Sequence, residues 1–188
     1  MPPPRGFAFL ASGPLTTPSY AGGIQLDLRQ RFCVILSNME ALLETWDINA
    51  RLNLYLLEAI PDDQLPTKLT KGKTVLGNFT HLHNVRLMWI KASAPNLMEG
   101  LEKLDDTATR ETLIAELNKS DKAIHELIAS AGSPEGKIKG FKPHAAGFVG
   151  YMVAHETFHR TCVEIALRQA GTPLSDKVAY GIWEWGTR

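Results

Sequence analysis

The chain has 188 residues, of which 44% are hydrophobic and 21% charged, with 20 basic side chains against 20 acidic ones and a net charge of +0. This composition supports one ordinary folded core. The balanced charge excludes the strong field with which proteins capture nucleic acid or anionic membrane, and no apolar run approaches the ~18 residues of a membrane span. Neither a nucleic-acid nor a membrane partner is expected.

The first 23 residues, MPPPRGFAFLASGPLTTPSYAGG, contain five prolines. Their apolar stretch, FAFLA, is too short for a signal-peptide core. Residues 1–23 are expected to form an irregular N-terminal extension, and residues 24–188 a single helical domain. Cys33 and Cys162 make no disulfide framework, so a reduced, cytoplasmic chain is the simpler expectation.

From residue 24 onward the hydrophobic period is helical. QLDLRQRF is weakly patterned and predicts a short lead-in helix. SNMEALLETWDINARLNLYLLEAI predicts a long first helix, with Leu42, Trp46, Leu52, Leu56 and Leu57 near helical spacing. Pro61 and Pro66 stop it. A second helix is predicted from Thr74 to Lys91, with Val75, Phe79, Leu82 and Trp89 facing inward, and Pro95 and Asn96 mark its break. The third spans Thr107 to Ala131, where Leu113, Leu117, Ile124 and Ile128 form a stripe interrupted by Ser120. Gly132, Ser133 and Pro134 end it. Pro143 opens a fourth helix, since proline suits a first helical turn, and Gly171 with Pro173 closes it after Ala170. No useful β-alternation occurs. The predicted fold is an all-α four-helix bundle. The connections do not dictate the order of the helices around it.

The fourth predicted helix contains VAHETFHRTC, a literal H-E-x-x-H match at His155, Glu156 and His159. At ~100° per residue, Phe148, Met152, Val163 and Ala166 define its apolar stripe. Both histidines fall inside that stripe, and Glu156 lies near its edge. Arg160, Glu164 and Arg168, four residues apart, are expected to form a solvated charge ladder on the outer face. Buried imidazoles need partners. A divalent metal would satisfy both, because side chains at i and i+4 converge; hydrogen-bonded core histidines are the alternative. A catalytic metal commonly has three protein ligands and one open position. His81 and His83 on the second helix flank its stripe on opposite sides, and periodicity does not choose between them. His125 is a weaker candidate, and His144 is placed as a cap or surface residue.

A zincin-type protease would use Glu156 as general base, but it needs a downstream ligand and an edge strand for its peptide. This chain has no histidine after His159 and no strand pattern. The protease alternative is therefore disfavoured.

AHETFHRTCVEIALRQAG resembles the last-helix motif of the DinB/YfiT-like family, matching at His155, Glu156, His159, Arg160 and the LRQAG that ends at Gly171. HLHNVRLMW, from His81 to Trp89, is similar to the family's second-helix pattern, a histidine followed eight residues later by an aromatic. The likeness covers about residues 38–188, including WDINARL and the WEW tail. It departs at Thr161 and Cys162, where the family often has Gly-Gln.

The resemblance implies a four-helix bundle with a metal site at His81, His155 and His159, thus choosing His81 over His83. It implies metal-dependent hydrolysis or transfer of a low-molecular-weight thiol to a small-molecule substrate, and a three-imidazole site suits zinc or nickel as the divalent metal. Glu156 is expected as a general base in the hydrolytic case, and a homodimer is expected from the family's bundle-face contacts. The competing expectation is a noncatalytic stress-response or binding bundle with a structural or vestigial metal. A fourth protein ligand such as Cys162 would favour that alternative.

Overall fold

The computed structural model describes residues 28–187. They form α1 (Leu28–Ala59), α2 (Val75–Ser93), α3 (Arg110–Ala129), α4 (Ala145–Gln169) and a short α5 (Asp176–Gly181). The fold is all-α, and no described helix is long and apolar enough to cross a membrane. The expectation of an irregular extension at residues 1–23 lies outside the described residues.

The helix ends follow local chemistry. Thr74 caps α2 by accepting from the Gly77 N–H, Thr109 caps α3 by accepting from Thr112, and Ser175 caps α5 by accepting from Val178. Each such cap contributes about 1 kcal/mol. Sequence-based boundaries shift, and α3 spans Arg110–Ala129 rather than Thr107 to Ala131. The lead-in segment and the first helix are one continuous α1, because nothing between Leu28 and Ala59 breaks the helix. Helix α4 begins at Ala145, with His144 as its cap and Pro143 just outside. Helix α5 was not anticipated. It is only six residues long, too short for a periodic signal.

Both α1 and α2 pack against α3 and α4, leaving α1 diagonal to α2 and α3 diagonal to α4. The core has two halves. One joins Met39 and Trp46 of α1 to Ile90 of α2, Ile124 and Leu127 of α3, and Phe148 and Met152 of α4. The other joins Leu56 and Leu57 to Val75, Phe79, Leu113, Leu117, Val163 and Leu167. Early α1 and early α4 therefore meet late α2 and late α3. Helices α1 and α4 run one way, and α2 and α3 the other.

Each fully buried Leu or Phe contributes roughly 1.5–3 kcal/mol relative to exposure. Between the two apolar halves the core turns polar. Asn49, Asn53, Arg86, Glu156 and Arg160 are all buried there, and the histidines described next lie at the same level.

Candidate metal centre

His81 projects from α2 toward α4, where His155 and His159 stand one turn apart. The ring centroids of His81 lie 5.4 Å from His155 and 4.6 Å from His159, and those of His155 and His159 lie 4.7 Å apart. One nitrogen from each ring falls within 4.8 Å of the others. Three imidazoles converging from two neighbouring helices could hold a divalent ion, which binds histidine nitrogen at about 2.0–2.1 Å. No cysteine, aspartate or glutamate among the described residues joins the group as a fourth member.

Two details fit these residues to a cation. The buried Nδ1 of His155 has no hydrogen-bond partner among the described residues. His159 is oriented by Asn78, one turn before His81: the Asn78 Nδ2 donates to the Thr74 carbonyl at 2.8 Å, which turns its Oδ1 toward His159 Nδ1 at 2.8 Å. An amide oxygen can only accept, so His159 carries its proton on Nδ1 and keeps the Nε2 lone pair free. Such supporting partners hold a ligating ring in place. Asn78 escaped the sequence reading; its signal is an amide inside an otherwise apolar helix face.

The site also favours neutral rings. Burial, followed by His155, His81 and Lys73, pushes His159 down to about 4. Burial also lowers His81, with Lys73 and His155 adding to the effect. Burial lowers His155, partly opposed by Glu156. Neutral imidazole is the ligating form.

Glu156 lies elsewhere. It is rotated ~100° from His155 around α4 and faces the polar layer. Its Oε1 accepts from Arg86 Nε at 2.7 Å. Its Oε2 accepts from Arg86 Nη2 at 2.9 Å, Asn49 Nδ2 at 2.5 Å and Asn53 Nδ2 at 2.6 Å. Burial opposes ionisation, but Arg86, Arg160 and Asn49 outweigh it and hold the carboxyl below its ordinary range. The carboxylate expected as a general base is thus engaged on both oxygens in a buried ionic layer. Arg160 corrects a second expectation. It is buried rather than solvated, and donates to Asn49 Oδ1, Asn53 Oδ1 and Thr157 Oγ1. Only Glu164 and Arg168 of the expected ladder form an exposed pair.

The other histidines have separate roles. His83 is fully buried on the α3 side, with Nδ1 3.1 Å from Ser120 Oγ and Nε2 2.8 Å from the Glu102 carbonyl. Ser120, which interrupts the α3 stripe, is thereby accounted for. His125 pairs with Asp47 at 2.8 Å, and His144 Nδ1 accepts from the Gly147 N–H at the start of α4. Cys162 is partly buried and shares a cavity with His159 without joining the three-histidine group. Tyr151 stacks on His155, and Phe158 meets His159 edge-on.

Fold and site together define an all-α bundle with an open cluster of three histidines between two helices. The DinB family model matches residues 36–179, and the chain belongs to the DinB family. No curated protein and no solved structure matches it.

Proposed function

We propose that this DinB-family chain is a divalent-metal-dependent enzyme whose ion, zinc or nickel, is held by His81, His155 and His159. The observation that carries this reading is the convergence of three imidazole nitrogens within 4.8 Å, with no fourth protein ligand among the described residues. Such an open site suits catalysis, whereas a structural site is usually closed by four protein ligands. That contrast favours an enzyme over a noncatalytic bundle.

A divalent ion bound there would supply Lewis acidity and lower the pKa of a thiol or water in its open position. The chain's own residues keep three rings neutral, fix the tautomer of His159 through Asn78, and shield one side with Tyr151. Hydrolysis also calls for a nearby proton acceptor. Glu156 is committed to Arg86, Asn49 and Asn53, which favours transfer of a low-molecular-weight thiol as the first reading and hydrolysis as the second. In that transfer, the thiol sulfur bonds to an electrophilic carbon of a small-molecule acceptor. The acceptor's leaving group departs with the bonding electrons, and the thiol proton passes to water. The proposal also includes a cytoplasmic homodimer.

The test is metal analysis of protein prepared without a nickel affinity step. One ion per chain is expected in wild type after zinc or nickel is supplied, and little in His81→Ala. Unchanged metal in His81→Ala, or a wild type that takes up neither metal, would overturn the site. Thiol-transfer and ester- or amide-cleavage assays then separate the two chemistries.

A further inference from the structure

We propose that the cavity beside His159 receives a negatively charged end of the substrate, and that Lys73 selects for that charge. This deepens the proposed enzyme function and rests on it for the identity of the reacting group, but the charge preference of the cavity can be measured without a metal.

The cavity is about 240 Å³ and is lined by residues that include Leu69, Lys71, Lys73, Phe158, His159 and Cys162. Drug-sized ligands usually occupy about 300–1,000 Å³, so the occupant is small. It opens directly onto one ring of the triad. Leu69 and Phe158 supply apolar walls. Phe158 is 63% exposed although it touches His159 edge-on with ring centroids 5.3 Å apart.

Lys71 and Lys73 stand on the short loop before α2, and neither forms an ion pair among the described residues. The loop is tied at its base by a bridge between Lys68 and Thr74 and by the Val75 N–H donating to the Thr67 carbonyl at 2.7 Å. The backbone carrying Lys73 is thereby anchored beside the cavity. Lys73 lines the same cavity as His159. With apolar walls, two lysines without an ion pair and the histidine cluster around one cavity, the complementary ligand is a short chain with an apolar stem and an anionic end. Under the thiol-transfer reading it is a small thiol or acceptor bearing a carboxylate a few carbons from its reacting atom.

The experiment compares three probes of similar size: 3-mercaptopropionate, 2-mercaptoethanol and cysteamine, which carry a negative, neutral and positive group beside the same thiol. Binding to cobalt-loaded protein is read from sulfur-to-cobalt absorption, with Lys73→Gln as the comparison and cobalt affinity measured separately. The anionic thiol should bind most tightly to wild type. Lys73→Gln should lose ~5-fold of that preference, the effect of one partly exposed charge pair, after any change in cobalt affinity is divided out. Equal binding of all three thiols, or a preference retained in Lys73→Gln, would overturn the proposal. If cobalt does not load, the metal reading fails and the cavity is tested in metal-free protein. Propionate should then shift the NMR signals of Phe158, His159 and Cys162, more weakly in Lys73→Gln. Absence of any shift would overturn the cavity as well.

Discussion

Replacing Glu156 by glutamine separates a structural role from a catalytic one. In the folded protein four donor groups converge on this carboxylate: two nitrogens of Arg86 and the amides of Asn49 and Asn53. The Arg86 and Glu156 side chains are 1% and 0% exposed. Glutamine keeps the size but presents an NH₂ to a ring of donors, leaving Arg86 as a buried cation without its counter-charge. Its remaining supports are the Leu117 carbonyl, the Trp46 ring 4.9 Å from the guanidinium carbon, and the Asp121 carboxyl, which acts on it without a direct hydrogen bond. Breaking a buried ion pair on one side costs about 3–5 kcal/mol, a large part of the 5–15 kcal/mol that holds a typical domain together.

Urea unfolding of the metal-free proteins should show this loss in Glu156→Gln. At temperatures where the variant remains folded, its metal affinity should stay within a few-fold of wild type. The pH dependence supplies a second check. The carboxyl is held below its ordinary 4.5 in the folded state, so its contribution is present above pH ~4.5 and fades as pH falls through the folded value. Glu156→Gln should lack that leg of the acid-unfolding curve. A variant within ~1 kcal/mol of wild type, but inactive on every substrate that wild type turns over, would refute the structural assignment and restore Glu156 as a base.

Three further outcomes are expected. Asn78→Leu removes the acceptor that orients His159 and should weaken metal binding by about 10–100-fold, measured by competition with a chromophoric chelator. His83→Ala should leave metal content unchanged but lower stability by about 2–4 kcal/mol, because it opens a cavity and removes the ring nitrogen that meets the Glu102 carbonyl. In metal-free protein, His159 should titrate near its depressed value of about 4 by NMR rather than near 6.5. The folded state thus refuses a proton that the unfolded chain accepts. The stabilisation is full above pH ~6.5 and declines as pH falls toward 4, so urea midpoints should drop over that interval, and less in His159→Phe.

Much of the bundle and two members of the triad were legible in the sequence. The stripe of Phe148, Met152, Val163 and Ala166 is buried as periodicity requires, and His155 and His159 are brought together by four-residue spacing on one helix. Choosing His81 over His83 required the family pattern, because each lies beside the stripe and a helical wheel does not say which neighbour each side meets. The packing shows the distinction: His81 faces α4, and His83 faces α3 and Ser120.

Arg160 was misjudged for a related reason. A charge at i+4 from Glu156 resembles a solvated ladder until the asparagines of α1 come to meet it. Local periodicity and capping encode the four long helices, most of their stops and the i, i+4 histidine pair. The helix order, the approach of His81 from α2, the contact of Asn78 with His159 and the burial of Glu156 against Arg86 come from the packing. Each depends on contacts between residues distant in the chain, whose pairing no local spacing encodes.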